Sequence, residues 1–241
     1  MKKELIYLSP YLSTFEHNYL KVREKEGRVY SDETVLKLPF VSREHSQFLE
    51  WSLRAKTLNR FIRYLKGSSY MSVLDIGCGN GWFSNHIANA ISGKVIGLDV
   101  NKEELEQGNR VFRAENLSFA YGDIFEAEFD QKFDLIVMNA SIQYFPDLEQ
   151  LLNRLKNLLS PFGEIHILDS PFYYNEDACL KAKLRTNSYY EKLGFPEMSQ
   201  FYFHHQIIQL NDFKVKYKYS TNPFQKILKG KDSPFNWYCF K

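Results

Sequence analysis

Asp75, Gly77, Gly79 and Gly81 form the pattern D-x-G-x-G-x-G, Asp99 follows Gly81 by 18 residues, and Asp123 follows Gly122. Glycine lacks a Cβ, so such a turn accepts positive φ and lets a ligand lie against bare backbone. Amides at the start of a following helix then face that ligand. An acid about 20 residues beyond a glycine turn stands where ribose hydroxyls can be held. The spacing departs from the dinucleotide fingerprint G-x-G-x-x-G. Trp82 fills the third-glycine slot, where an indole would crowd the helix–strand packing that a small residue permits. Asp75 would repel a pyrophosphate and suits a ligand carrying an ammonium or sulfonium group. Cys78 lies inside the turn, where a small side chain is required, and is given no redox role.

These residues need strands that end, and helices that begin, around them. Residues 73–76 read as a buried strand, followed by the turn and by a helix over 81–91. Residues 94–100 make a second strand ending at Asp99, and 101–116 a helix with Glu103, Glu104 and Glu106 near its positive end. Residues 117–120 form a third strand. Residues 133–139, FDLIVMN, are apolar on both faces, as a central parallel strand should be. An amphipathic helix over 148–159 and a strand over 164–169 complete the core. Asp169 and Ser170 then stand at a carboxyl end, where open α/β sheets bind ligands.

At the glycine turn the chain resembles the class I S-adenosylmethionine-dependent methyltransferases, whose first motif is this pattern. The resemblance covers roughly residues 71–170. It implies a Rossmann-like, doubly wound, seven-stranded α/β sheet with S-adenosylmethionine as cofactor. Asp75, Gly77, Cys78, Gly79 and Gly81 would form the turn against it, with Asp99 and the adjacent Val100 at the ribose. Asp123 would reach the adenine amino group, with Ile124 under the ring. Asn139, Ala140 and Gln143, after the fourth strand, would lie beside the amino acid end, and Tyr144 could shield the methyl cation. Arg54, on a helix before the motif, would meet the methionine carboxylate as a bidentate pair. The turn Ser160-Pro161-Phe162-Gly163 resembles the family's L-x-P-G-G, with Phe162 in place of a glycine.

The flanks are less regular. Residues 1–42 show no clear period; Tyr7, Tyr11, Phe15, Tyr19 and Tyr30 could clamp a flat ligand or simply pack on the core. Residues 42–66 carry an apolar stripe at helical spacing, with Ser42 placed to cap it. Residues 1–70 are therefore expected to form a helical cap, and 71–241 the catalytic domain. Within the latter, 171–212 would form a substrate lid built on a helix over 175–193. Strands over 213–220 and 235–240 would close the sheet as an antiparallel pair. His204 and His205, together with Asp169, are the candidates for a general base; His166, in mid-strand, reads as structural.

The 241 residues are 44% apolar and 25% charged, with a net charge of +2, so a folded α/β domain is expected and nucleic acid is not indicated by charge. No apolar run reaches the roughly 18 residues that span a bilayer, and Glu4 and Pro10 interrupt any signal-peptide core, so a cytoplasmic protein is expected. Three widely separated cysteines make neither a disulfide framework nor a metal signature. Methyl transfer to a small-molecule acceptor is the leading reading. RNA or protein methylation, a non-catalytic cofactor-binding module, and a nicotinamide dehydrogenase are the others. The N-P-P-[YF] motif of amino-group methylases of nucleic acid is missing; Asn139-Ala140-Ser141-Ile142 stands at that point.

Overall fold

The computed structural model describes residues 4–10, 13–220 and 232–241, and only the backbone of 13–15. Tyr11 and the Phe15 side chain lie outside the described residues. In chain order the elements are β1 (Ile6–Tyr7), α1 (Ser13–Lys25), α2 (Asp32–Lys37), α3 (Phe48–Leu65), β2 (Ser72–Ile76), α4 (Trp82–Ala88), β3 (Lys94–Asp99), α5 (Lys102–Val111) and β4 (Leu117–Tyr121). There follow β5 (Phe133–Asn139), α6 (Leu148–Leu158), β6 (Leu159–Leu168), β7 (Phe172–Tyr173), α7 (Glu176–Leu193), β8 (His205–Gln206), β9 (Lys214–Tyr217) and β10 (Trp237–Phe240).

The main sheet runs β1-β4-β3-β2-β5-β6-β10-β9. All its pairings are parallel except those of β10 with β6 and β9. Among the described residues the sheet has eight strands in place of the expected seven, because β1 joins its edge, pairing Ile6 with Ala120 and Tyr7 with Tyr121. From β2 the chain winds outward through β3 and β4, then returns to place β5 on the other side of β2. The order reverses there, so a crevice opens at the carboxyl ends of β2 and β5. Val73, Leu74, Leu135, Ile136 and Val137 are fully buried, as strands covered on both faces must be. One apolar layer lies under α3 and α4 and the other under α6.

Several element boundaries differ from those expected. α3 starts at Phe48, not at residue 42, because turns closed by His45 N–H to Ser42 O and Phe48 N–H to His45 O occupy the intervening residues. α5 stops at Val111, short of 116, because the Asn116 amide donates to the carbonyls of Ala88, Ile91 and Gly93 and fixes the chain in a loop. The proline–glycine turn is absorbed into β6: Phe133 pairs with Leu159 and Leu135 with Glu164, and the residues between bulge outward, leaving Phe162 90% exposed. In residues 1–42 the chain forms β1, α1 and α2. The inward face of α1 carries Glu16 and Val22, both buried, so it shows no apolar stripe.

His166 is structural, as expected. Its Nδ1 accepts from Trp237 Nε1 at 2.9 Å, so Nε2 bears the proton and donates to Glu164 Oε2 at 3.0 Å. Glu164 also accepts from the Tyr64 and Tyr70 hydroxyls and from Lys241. Among the described residues, no helix is long and apolar enough to cross a membrane.

Candidate cofactor and acceptor site

The glycine turn leaves β2 and enters α4 at the crevice. Gly77 has φ +69°, and a Cβ there would stand 2.4 Å from Ser141 Cβ; only glycine lets the turn meet the segment after β5. The Gly77 and Cys78 amides donate to Leu98 O of β3, at 2.8 and 3.2 Å, which ties the turn to the neighbouring strand. Gly81 serves differently. It caps α4 with φ +74°, and a Cβ would stand 2.1 Å from the Phe119 ring. Gly81 is thus a packing residue behind the turn, while Gly77, Cys78 and Gly79 line a cavity of about 500 Å³.

Five acids line that cavity: Asp75, Asp99, Asp123, Glu104 and Glu50. Asp75, 1% exposed, accepts the Ser84 hydroxyl at 2.5 Å. Burial pushes its carboxyl up to about 7, opposed by the Ser84 bond and reinforced by the charge of Asp99. Asp99 accepts from the Gly79 amide at 2.7 Å and the Asn101 amide at 2.8 Å. Burial raises it, against those backbone bonds. Both of its oxygens keep a lone pair for a ligand. Asp123, at the end of β4, accepts from the Phe125 amide at 2.9 Å. Glu104, in the first turn of α5, is the acid that sequence reading assigned to the helix dipole. It lines the same cavity, and burial with the Asp99 charge pushes it up to about 7 against the pull of Arg23. Its place on the inward side of α5 follows from Leu105 and Gly108 being buried, a signal available only once the helix face is known.

The wall on the β5 side holds strained backbone. Ala140, φ +56°, and Asp169, φ +46°, are the non-glycine residues with positive φ among those described, and they follow adjacent strands β5 and β6. Residues held in this region cluster at ligand sites. Asn139 Oδ1, Gln143 Oε1 and Asp169 Oδ2 are buried without a hydrogen-bond partner. Asp169 Oδ1 is satisfied by the Thr57 and Ser233 hydroxyls.

A second cavity, about 630 Å³, adjoins the first; Tyr19, Arg23, Arg54, Ala140 and Tyr144 are among the residues on both walls. Arg54 is bound to Glu50, which also takes Arg28 at 2.5 Å. Burial works against the Glu50 charge, but the Arg28 bond and the two arginine charges hold its carboxyl down at about 2. Arg23, on α1, bonds the Tyr19 hydroxyl at 2.6 Å and Glu26 at 3.2 Å. Nothing in the sequence separated Arg23 from the other basic residues of its segment.

The expected residues therefore divide. Asp75, Gly77, Cys78, Gly79, Asp99, Val100, Asp123, Ile124, Asn139, Ala140 and Arg54 line the first cavity. Gly81 does not, because it packs on Phe119. Gln143 and Asp169 line the second. His204 and His205 line neither. His204 Nε2 is bonded to the Thr186 hydroxyl at 3.0 Å. His205 is 5% exposed, paired through β8 with β7, and burial lowers its basicity. The His204 ring packs on Tyr173 and Tyr202, which themselves line the second cavity, and the His205 ring on Phe172.

A doubly wound sheet whose glycine turn and adjacent strand ends converge on one cavity defines a nucleoside-binding α/β protein. The family described as Methyltransferase domain matches residues 67–229, and the chain belongs to it. A malonyl-[acyl-carrier protein] O-methyltransferase of Acetivibrio thermocellus is 32% identical over 129 residues, which cover 50% of this chain and 45% of that protein. The chain spans about half the length of the curated relatives it matches. Among solved structures, the YcgJ protein of Bacillus subtilis superposes with a TM-score of 0.56 at 19% identity, over 73% of this chain and 77% of that one. The plantazolicin methyltransferase BpumL, in complex with a pentazolic desmethylPZN analog and SAH, superposes with a TM-score of 0.53 at 16% identity, over 93% of this chain and 95% of that one. The likenesses of structure are likenesses of fold.

Proposed function

We propose that the protein transfers a methyl group from S-adenosylmethionine to a small-molecule acceptor. The observation that carries this is the meeting of the glycine turn, Asp75, Asp99, Asp123 and Asn139 in one cavity that opens through a shared wall into a second. The family to which the chain belongs supports the chemistry, and a relative that acts on a malonyl-acyl carrier supports a small acceptor group.

S-adenosylmethionine supplies a methyl on a cationic sulfur, which an acceptor lone pair displaces in line while the carbon–sulfur electron pair stays with sulfur. The chain's own residues bind, align and exclude water. Asp99 would hold the ribose hydroxyls through its remaining lone pairs. Asp123 and Ile124 would receive the adenine, and Asn139 Oδ1, buried and unpartnered, would accept from the amino group. Arg23, Arg28 and Arg54, on both walls, are the cations available to the carboxylate. Asp169 lines the second cavity with an unsatisfied oxygen and, of the three base candidates, is the one we favour to take a proton from a protonated acceptor.

Calorimetry with S-adenosylhomocysteine, followed by transfer of labelled methyl to a metabolite extract treated with nuclease and protease, tests this. Binding and labelling of small molecules are expected. Labelling lost after nuclease or protease would assign a macromolecular acceptor. Stabilisation by NAD in place of S-adenosylhomocysteine would overturn the reading.

A further inference from the structure

The second cavity has a composition of its own. Tyr19, Tyr144 and Tyr202 stand edge to face in succession, with ring centroids 5.8 Å apart at each step. Tyr189 and Tyr190 continue the aromatic wall on α7. Rings in such numbers, with few free polar groups between them, suit a flat unsaturated molecule. A volume of about 630 Å³ accommodates a small organic ligand of that kind.

Charge decides the rest. Four arginines, Arg23, Arg28, Arg54 and Arg185, line this cavity against three acids, Glu26, Glu50 and Asp169. Glu50 is committed to Arg28 and Arg54, and Glu26 to Arg23 and Arg28. Asp169 is turned toward two hydroxyls, and burial raises its carboxyl. Arg185, on α7, makes no hydrogen bond or ion pair among the described residues. Its charge is felt by Tyr173, which lines the same cavity. It is the uncompensated cation of the chamber. Arg185 lines only the second cavity and is not among the residues that the two cavities share.

We propose that the second cavity is the acceptor chamber and takes a planar conjugated carboxylic acid, its body among the tyrosines and its carboxylate on Arg185. This rests on the methyltransferase reading. The carboxylate is then held by a residue that does not line the cofactor cavity, so the methylated atom is a different group of the molecule, a nucleophile such as a phenolic hydroxyl. In that step the hydroxyl oxygen forms the new bond to the methyl carbon. The carbon–sulfur pair leaves with sulfur, and the phenolic proton goes to the Asp169 carboxylate.

The test uses the full chain with S-adenosylhomocysteine bound. 4-Hydroxybenzoate, 4-hydroxycinnamate and 6-hydroxy-2-naphthoate are titrated beside their carboxamides, which keep shape and lose charge. At least one acid is expected to bind, and about tenfold tighter than its amide. The preference should vanish in Arg185→Gln and return in Arg185→Lys, with S-adenosylhomocysteine affinity unchanged in both. Arg185 is exposed on a helix, so either variant should fold. Equal binding of acid and amide, no binding of any acid, or a preference that survives Arg185→Gln would overturn the proposal. The same titrations without S-adenosylhomocysteine keep the two readings apart. Acid-selective binding in a protein indifferent to that nucleoside would leave the anion site standing and remove the methyltransferase reading.

Discussion

At the scale of single residues, the site is built from side chains that other residues force into place. Asp99 holds two backbone amides of the turn and offers its other lone pairs outward. Asp99→Ala should weaken S-adenosylhomocysteine binding by tenfold or more in calorimetry, about 1.4 kcal/mol or above, and also lower stability, because the Gly79 and Asn101 amides lose their acceptor. Gly81→Ala separates packing from binding: the positive φ and the 2.1 Å approach to Phe119 should cost about 2–4 kcal/mol in urea unfolding. Asp75 titrates near 7 in the folded protein against 3.8 in the unfolded chain. The native state therefore binds the extra proton, and stability without ligand should fall as pH rises from about 4 to 7, then level off. Between pH 5 and 7.5 the loss from this group is about 2.5 kcal/mol. Urea midpoints of the wild type should show the decline, and Asp75→Asn should flatten it.

At the scale of elements, what was legible in the sequence was what periodicity and glycine spacing encode. β2, the turn, β3 and β5 stood where the D-x-G-x-G-x-G pattern and apolar runs put them, since burial on both faces leaves an unbroken apolar string. α1 was illegible because the side it turns inward carries Glu16, which accepts the Lys102 amide at the start of α5, and Tyr19 and Arg23, which line the cavities, in place of an apolar stripe. His204 and His205 were misplaced for a related reason. A two-residue pairing such as β7 with β8 leaves no period to read, so nothing in the sequence indicated which way those rings face. Arg28, Glu50 and Arg54 link the loop after α1 to α3. Glu50→Gln should leave two guanidinium groups facing each other, cost about 1 kcal/mol at this partly exposed site, and speed amide exchange over residues 23–28 in mass spectrometry.

At the scale of the molecule, the two edges of the sheet have separate tasks. The carboxyl edge carries the cavities. Some five residues down β6, a distance of about 16 Å, Glu164 gathers four donors around a carboxylate that is 1% exposed. Burial opposes that charge, and the His166, Lys241 and tyrosine bonds hold its carboxyl well below the ordinary range. Its contribution is present above the unfolded value of about 4.5 and lost below it, opposite in sign to Asp75. Glu164→Gln should destabilise the fold by about 2–3 kcal/mol while leaving S-adenosylhomocysteine affinity within twofold. β1 bears on the other edge. Its bonds to β4 are made by main chain, Leu8 N–H reaches Tyr121 O, and the Asp123 amide donates to the Ser9 hydroxyl, so the chain is moored to the sheet a few positions before α1 lays Tyr19 and Arg23 over the cavities. Apart from the Ser9 hydroxyl, a mooring made by peptide groups places little demand on side chains. The roof can therefore drift in sequence, and with it the choice of acceptor, while the cofactor floor beneath stays where it is.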